Sequence, residues 1–200
     1  MTYHHGNLKQ HLVSIAHHWI DRNGIDSISL RKIAKIANVS QTAPYRHFKS
    51  KEHLLADVAT LGFLNFSNAM DQNAVTANPV EDLVKCGITY INFGLTNEYI
   101  MELMFNYPIK KSDFPDLMIA ADNAFGALQS RIKRLDQGNT YATQLNSASI
   151  HAYTHGLLNI IQMNERIGQS GQSNFYKTSS KIKSNLEKML SDFIKGMDFL

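Results

Sequence analysis

Gln41, Thr42 and Arg46 fall within one short polar run, QTAPYRHFKSK, and each has a side chain suited to reading nucleic-acid bases. Gln and Arg set two hydrogen-bonding groups side by side, matching the edges of adenine and guanine, while Thr offers a hydroxyl beside a methyl. Tyr45, His47, Lys49 and Lys51 surround them with donors of the kind that hold phosphates. A helix starting after Ser50 would add its positive N-terminal end. The same pattern also suits a solvated charged face beside an ordinary helical core, with Tyr45 turned into that core.

Those side chains need a scaffold, and the flanking residues describe one. Leu8, Leu12, Ile15, Ala16, Trp19 and Ile20 recur at helical spacing up to Asn23-Gly24, a stop signal. Ser29 caps a second helix that buries Leu30, Ile33 and Ala34 and ends at Asn38, a residue that tolerates left-handed backbone. Ser40 caps a third, short helix carrying the base-reading candidates, and Ser50 a fourth that runs towards Met70. Small Ala34 and Ala37 suit a close helix crossing, with Val39 plugging the turn: the layout of a helix-turn-helix.

Beyond it, Asn73 to Asn78 reads as a polar connection, and Asn78-Pro79 as a cap followed by proline at the first helical position. Further helices are expected over about 79–95, 97–106, 115–136, 140–166 and 174–197. Pro108, Pro115, Gly138 and Gly168 to Ser173 separate them. No strand-like alternation and no long internal repeat is present, so the expected fold is all-α with about nine helices. The helix-turn-helix domain is expected over 1–55 and a second helical domain over 56–200.

Composition narrows the classes further. The 200 residues carry a net charge of only +3, but residues 1–51 hold eight basic and two acidic side chains, leaving −3 for the remainder. A basic head on an acidic body fits a polyanionic partner at one end. The single cysteine, Cys86, cannot form an internal disulfide or a Cys-rich metal site and reads as a small buried hydrophobe. With no signal-peptide pattern and no apolar run long enough to span a bilayer, the expected location is cytoplasmic, without a membrane partner.

Residues 25–58, IDSISLRKIAKIANVSQTAPYRHFKSKEHLLADV, resemble the DNA-binding domain of the TetR/AcrR family of transcriptional regulators. The likeness rests on the Gly24 loop, Ser29-Leu30-Arg31, Val39-Ser40, Tyr45-Arg46-His47-Phe48 and Lys51-Glu52-His53-Leu54-Leu55. It departs at Pro44, where leucine is common. The resemblance implies a homodimeric repressor whose third helix enters the major groove of a palindromic operator. Arg31 joins the DNA-contacting set, and Tyr45, His47 and Lys51 would touch phosphates. More weakly, Asn97 to Phe105 and Ala152-Tyr153-Thr154-His155-Gly156-Leu157 resemble a ligand domain of the WHG type in that family.

The second domain is rich in large adaptable apolar side chains, which suits either a plain core or a pocket for a small apolar or aromatic effector. The candidate contacts are Phe93, Met101, Met104, Phe125, Tyr153 and His155. His151 and His155 stand at metal-ligand spacing, yet no HExxH motif and no obvious third ligand accompanies them, so neither metal nor cofactor is expected. His4, His5, His11, His17 and His18 read as surface or phosphate-facing groups. Apolar stripes on the last two long helices, such as Leu145, Ala148, Ala152 and Leu186, Leu190, Phe193, exceed what one chain can cover; in the family that surface makes a homodimer. Alternatives are a metal- or haem-responsive regulator of the same fold, or an all-α carrier or enzyme, though no catalytic spacing is evident.

Overall fold

A computed structural model of the chain describes residues 8–72, 76–136, 139–167, 173–197 and 199. His4, His5, Asn73, Gly138 and Gly168 lie outside the described residues. Among those described, every regular element is helical: α1 (Leu8–Asn23), α2 (Leu30–Ile36), α3 (Lys51–Asp71), α4 (Pro79–Thr96), α5 (Glu98–Phe105), α6 (Pro115–Ile132), α7 (Thr140–Ile167), α8 (Asn174–Ser179), α9 (Lys181–Ser184) and α10 (Leu186–Lys195). The chain is all-α, as its periodicity requires.

These elements form two compact units, one of residues up to Asn65 together with Asn97–Asn123, the other of Phe66–Thr96 together with Ala124 onwards. The units therefore cut the chain differently from a single boundary at residue 55. Segment 97–123, far along the sequence, joins the unit of the N-terminal helices because α5 packs against α1.

In the first unit, Leu12, Ala16 and Ile20 of α1, Ile33 and Ala34 of α2, and Phe48, Leu54 and Val58 are all fully buried, and α1 packs against α2. Gly24 has φ 79, a conformation costly for any L side chain, and the Tyr99 ring of α5 packs over it at contact distance. Ser29 caps α2 by accepting the Lys32 amide N–H at 3.1 Å. At the other end Asn38 takes φ 54 and donates to Lys35 O, while Val39 N–H donates to Ala34 O. That paired closure satisfies the last carbonyls of α2 and turns the chain sharply.

The expected third helix is not an α-helix. Residues 41–43 form turns, and Pro44–Arg46 one turn of 3-10 helix. Ala43 N–H donates to Ser40 O, Arg46 N–H to Ala43 O and His47 N–H to Pro44 O, each three residues back. Pro44 has no N–H to return to Ser40 O, so the four-residue ladder cannot start, and the segment tightens instead. The proline ring itself is buried, taking the apolar position while Tyr45 remains 52% exposed.

The second unit is built on α4, which packs against α7 and α10. Glycines permit the approach: a side chain at Gly94 would land on Leu158, and one at Gly87 would come within 2.9 Å of Leu190. Asn78 caps α4, its Oδ1 accepting from Val80 and Glu81 N–H. The helix expected over 174–197 is broken into α8, α9 and α10. Ser179, Ser180, Ser184 and Asn185 bond back to backbone carbonyls one turn earlier, and Asn185, at φ −125 and ψ 18, leaves helical geometry. Likewise α6 ends at Ile132 rather than 136.

Candidate nucleic-acid interface and effector region

Every side chain expected to face DNA lies at the surface of the first unit. Arg31, Gln41, Thr42, Tyr45, Arg46, His47 and Lys49 are exposed, and Lys51, opening α3, is half-buried. Beneath them Leu30, Ile33, Ala34, Pro44 and Phe48 are buried, so the donors ride on a rigid support. The exposure of Tyr45 removes it from the core. Thr42 Oγ1 lies 3.2 Å from Ser40 Oγ, which ties it to the turn. Ser50 Oγ meets His53 Nδ1 at 2.9 Å and accepts the His53 N–H, closing the N-terminus of α3 beside Lys51.

Arg31 and Gln41 line a common groove of about 510 Å³ with Ser29, Lys32, Lys35 and Asn38. Lys32, Lys35 and Asn38 were not among the expected contacts. Lys32 and Lys35, exposed on α2 on the side away from Ile33 and Ala34, were the available signal, and Asn38 follows in the turn after the helix. Lys32 is further held in place: its ammonium stands 4.4 Å above the ring of Trp19, whose Nε1–H donates to Ser27 Oγ at 2.8 Å.

The six expected effector contacts divide between the two units. Met101 and Met104 are buried in the first unit, where Met104 packs against Gly62, and Phe93, Phe125, Tyr153 and His155 are in the second. Tyr153 and His155, two residues apart on α7, face different ways. Tyr153 stacks on Phe193 of α10 with ring centroids 4.0 Å apart, whereas His155 Nδ1 meets the Tyr90 hydroxyl of α4 at 2.8 Å.

Around that hydrogen bond the second unit gathers an aromatic and imidazole cluster. His151 and His155 stack at 5.7 Å, Tyr90 lies edge-on to both, Phe125 contacts His151, and Phe66 contacts Tyr90 and Phe93. Burial lowers both imidazoles below the ordinary 6.5, and His155 lowers His151 further. Burial also raises the Tyr90 phenol. His151, Tyr90 and Phe66 were missed as a group, because their convergence depends on three different helices.

Among the described residues no cluster of three or more His, Cys, Asp or Glu could hold a metal, and no helix is long and apolar enough to cross a membrane. The Cys86 thiol is buried and pushed up to about 11, which keeps it protonated and unreactive.

Residues 12–58 match the family described as bacterial regulatory proteins, tetR family. Over 103 residues the chain is 29% identical to the HTH-type transcriptional regulator AcrR of Shigella flexneri; that match covers 49% of this chain and about half, 48%, of that protein. A protein with unknown function from Rhodococcus sp. RHA1 shares the fold, with a TM-score of 0.72 at 20% identity, covering 96% of this chain and 99% of that one. A TetR variant from Acinetobacter baumannii AYE, in complex with minocycline, has a TM-score of 0.64 at 16% identity, covering 98% and 96%.

Proposed function

From the match of residues 12–58 to the tetR family of bacterial regulatory proteins, we propose that the chain is a DNA-binding transcriptional regulator of that family: a homodimeric repressor released from a palindromic operator by a small effector. The observation that carries this reading is the exposed donor surface of the first unit. Gln41, Thr42 and Arg46 are aimed outward to read bases, while Arg31, Tyr45, His47, Lys49 and Lys51 supply phosphate contacts around them. Residues 1–55 form the reading head in this scheme, and 56–200 dimerise and sense.

Dimerisation is supported by an uncovered stripe on α7. Tyr141 and Leu145 are 74% and 55% exposed, and Ala148 and Ala152 continue the same face in solvent. One head contacts too few base pairs for specificity; two, spaced about 34–36 Å apart, read successive major grooves. The cluster around His151, His155 and Tyr90 offers effector contacts within the second unit, and a protein of similar fold, the TetR variant from Acinetobacter baumannii AYE, is in complex with minocycline.

Selection of random DNA duplexes on the purified protein, with its mass measured in solution, tests the proposal. A dimer that enriches one inverted repeat, with affinity falling steeply as salt rises, supports it. A protein that enriches no sequence at any salt concentration overturns it.

A further inference from the structure

Lys32 and Lys35 stand three residues apart on the exposed side of α2, and both line the groove that also holds Arg31, Asn38 and Gln41. Arg31, Lys32 and Lys35 bring three positive charges to that groove and no carboxylate lines it. Among the described residues, no acidic side chain pairs with any of the three. Only one of the two lysines is anchored. The Lys32 ammonium stands 4.4 Å above the Trp19 ring of α1, whereas Lys35 rests on no ring among the described residues.

Trp19 is itself fixed. Half-buried on α1, it donates its Nε1–H to Ser27 Oγ at 2.8 Å, and the Ser27 hydroxyl donates onward to Gly24 O at 2.7 Å. Gly24 in turn holds its left-handed backbone under the Tyr99 ring. The indole therefore cannot swing away without giving up a hydrogen bond to the loop that joins α1 and α2.

The kind of anchor decides what the lysine can do. Lys9, Lys183 and Lys188 are held by Asp57, Glu165 and Asp192, and each such pair cancels its own charge. A ring face orients an ammonium through its quadrupole and leaves the positive charge whole, with the N–H groups turned from the ring free to donate. Ordering a long side chain is a cost otherwise met when a partner binds, and the ring has already reduced it. In a helix-turn-helix pair the first helix crosses the nucleic-acid backbone while the second reads bases, so a donor on α2 meets phosphate.

We propose that Lys32 is a phosphate contact of the DNA interface and that Trp19 is its positioning residue, holding the ammonium at the groove before DNA arrives. This rests on the reading of the chain as a DNA-binding regulator and adds to it a contact and the residue that orders it.

Fluorescence anisotropy of the full chain on labelled duplexes tests this, using the inverted repeat enriched by selection and a scrambled copy of it over a range of salt. Lys32→Ala is expected to weaken both duplexes alike, by about tenfold at low salt, and to lower the slope of log K against log salt by about 1. Trp19→Leu is expected to weaken both by about threefold with the slope kept, because the charge remains and only its ordering is lost. In a Lys32→Ala background the same Trp19→Leu change should have no further effect, and Trp19→Phe, which keeps a ring under the ammonium, should bind close to the parent. A general loss of structure at Trp19 would instead weaken binding equally in both backgrounds, and that result overturns the positioning role. Lys32→Ala with an unchanged slope, or with a loss confined to the enriched repeat, overturns the phosphate contact; Lys32 is exposed, so that arm stands even where Trp19→Leu unfolds. A parent protein that binds no duplex refutes the regulator reading and this proposal together, whereas a parent that binds its repeat while the Lys32 and Trp19 variants match it refutes this proposal alone.

Discussion

The buried carboxylate of Asp82 receives the guanidinium of Arg134, fifty-two residues further along the chain, and also the Thr76 N–H at 2.7 Å. Arg134 in turn donates to Thr76 O at 2.7 Å, so one arginine fastens the segment before α4 to the end of α6. Burial by itself would raise the Asp82 pKa; the Thr76 hydrogen bonds and the Arg134 charge outweigh it and hold the carboxyl below its ordinary 3.8. Removing the arginine leaves a desolvated charge half served. Arg134→Ala is therefore expected to cost about 2 kcal/mol, below the range for fully buried pairs because Arg134 keeps a third of its side chain in water. Urea unfolding measures it, and Asp82→Asn combined with Arg134→Ala should recover part of the loss.

Gly94 and Leu158 form a second non-local constraint. A methyl at position 94 would strike the Leu158 side chain, which is only 1% exposed and has nowhere to move. Gly94→Ala gains about 1 kcal/mol of helix propensity but incurs overpacking of about 1–3 kcal/mol, so a net loss of about 1 kcal/mol is expected. In a Leu158→Ala background the same change should become stabilising. A double-mutant cycle by thermal unfolding checks the change of sign.

On the DNA side, Arg46 and Lys51 should separate. Arg46→Ala is expected to relax base preference at one position in each half-site, with a loss of about 1–3 kcal/mol confined to the preferred sequence. Lys51→Ala should weaken all duplexes alike and reduce the slope of log K against log salt by about 1. Titrations of matched and mismatched duplexes over a range of salt measure both.

Acid should destabilise the fold before any carboxylate titrates. His17, His151 and His155 are all lowered from 6.5, chiefly by burial; at His17 the charge of Asp21 offsets part of the effect and His18 adds to it. A histidine with a depressed folded pKa contributes stability that is fully present above the unfolded value. That stability is lost as pH falls through about 6.5, because the unfolded chain binds the proton more readily. The melting temperature is thus expected to drop between about pH 7.5 and 5, and His17→Gln with His155→Gln should flatten the profile. A further fall in more acid solution belongs to Asp82.

Much of the local structure was legible. Ser29, Asn38 and Asn78 act at helix ends through their own side chains or a left-handed turn, interactions spanning two or three residues, and their types announce them. Pro44 was legible as a departure, but its effect needed the hydrogen-bond ladder: without its N–H, the expected helix becomes a single 3-10 turn. The interruption of α8 to α10 was not read, because serines sit on exposed helix faces as readily as they break helices.

The candidate sites divide along the same line. The donors at 41–51 share one turn and a short stretch of chain, so spacing alone was enough to group them at one surface. The effector candidates are spread over more than sixty residues, and type could not say which would meet. Periodicity, caps and charge placement, all short-range, determined an all-α chain with a basic head. Only tertiary packing decided that residues 97–123 join the N-terminal unit, that Met104 fills the space at Gly62, and that His155 meets Tyr90. Such pairings depend on which helices come together, and helical spacing specifies a buried face without naming the face that will cover it.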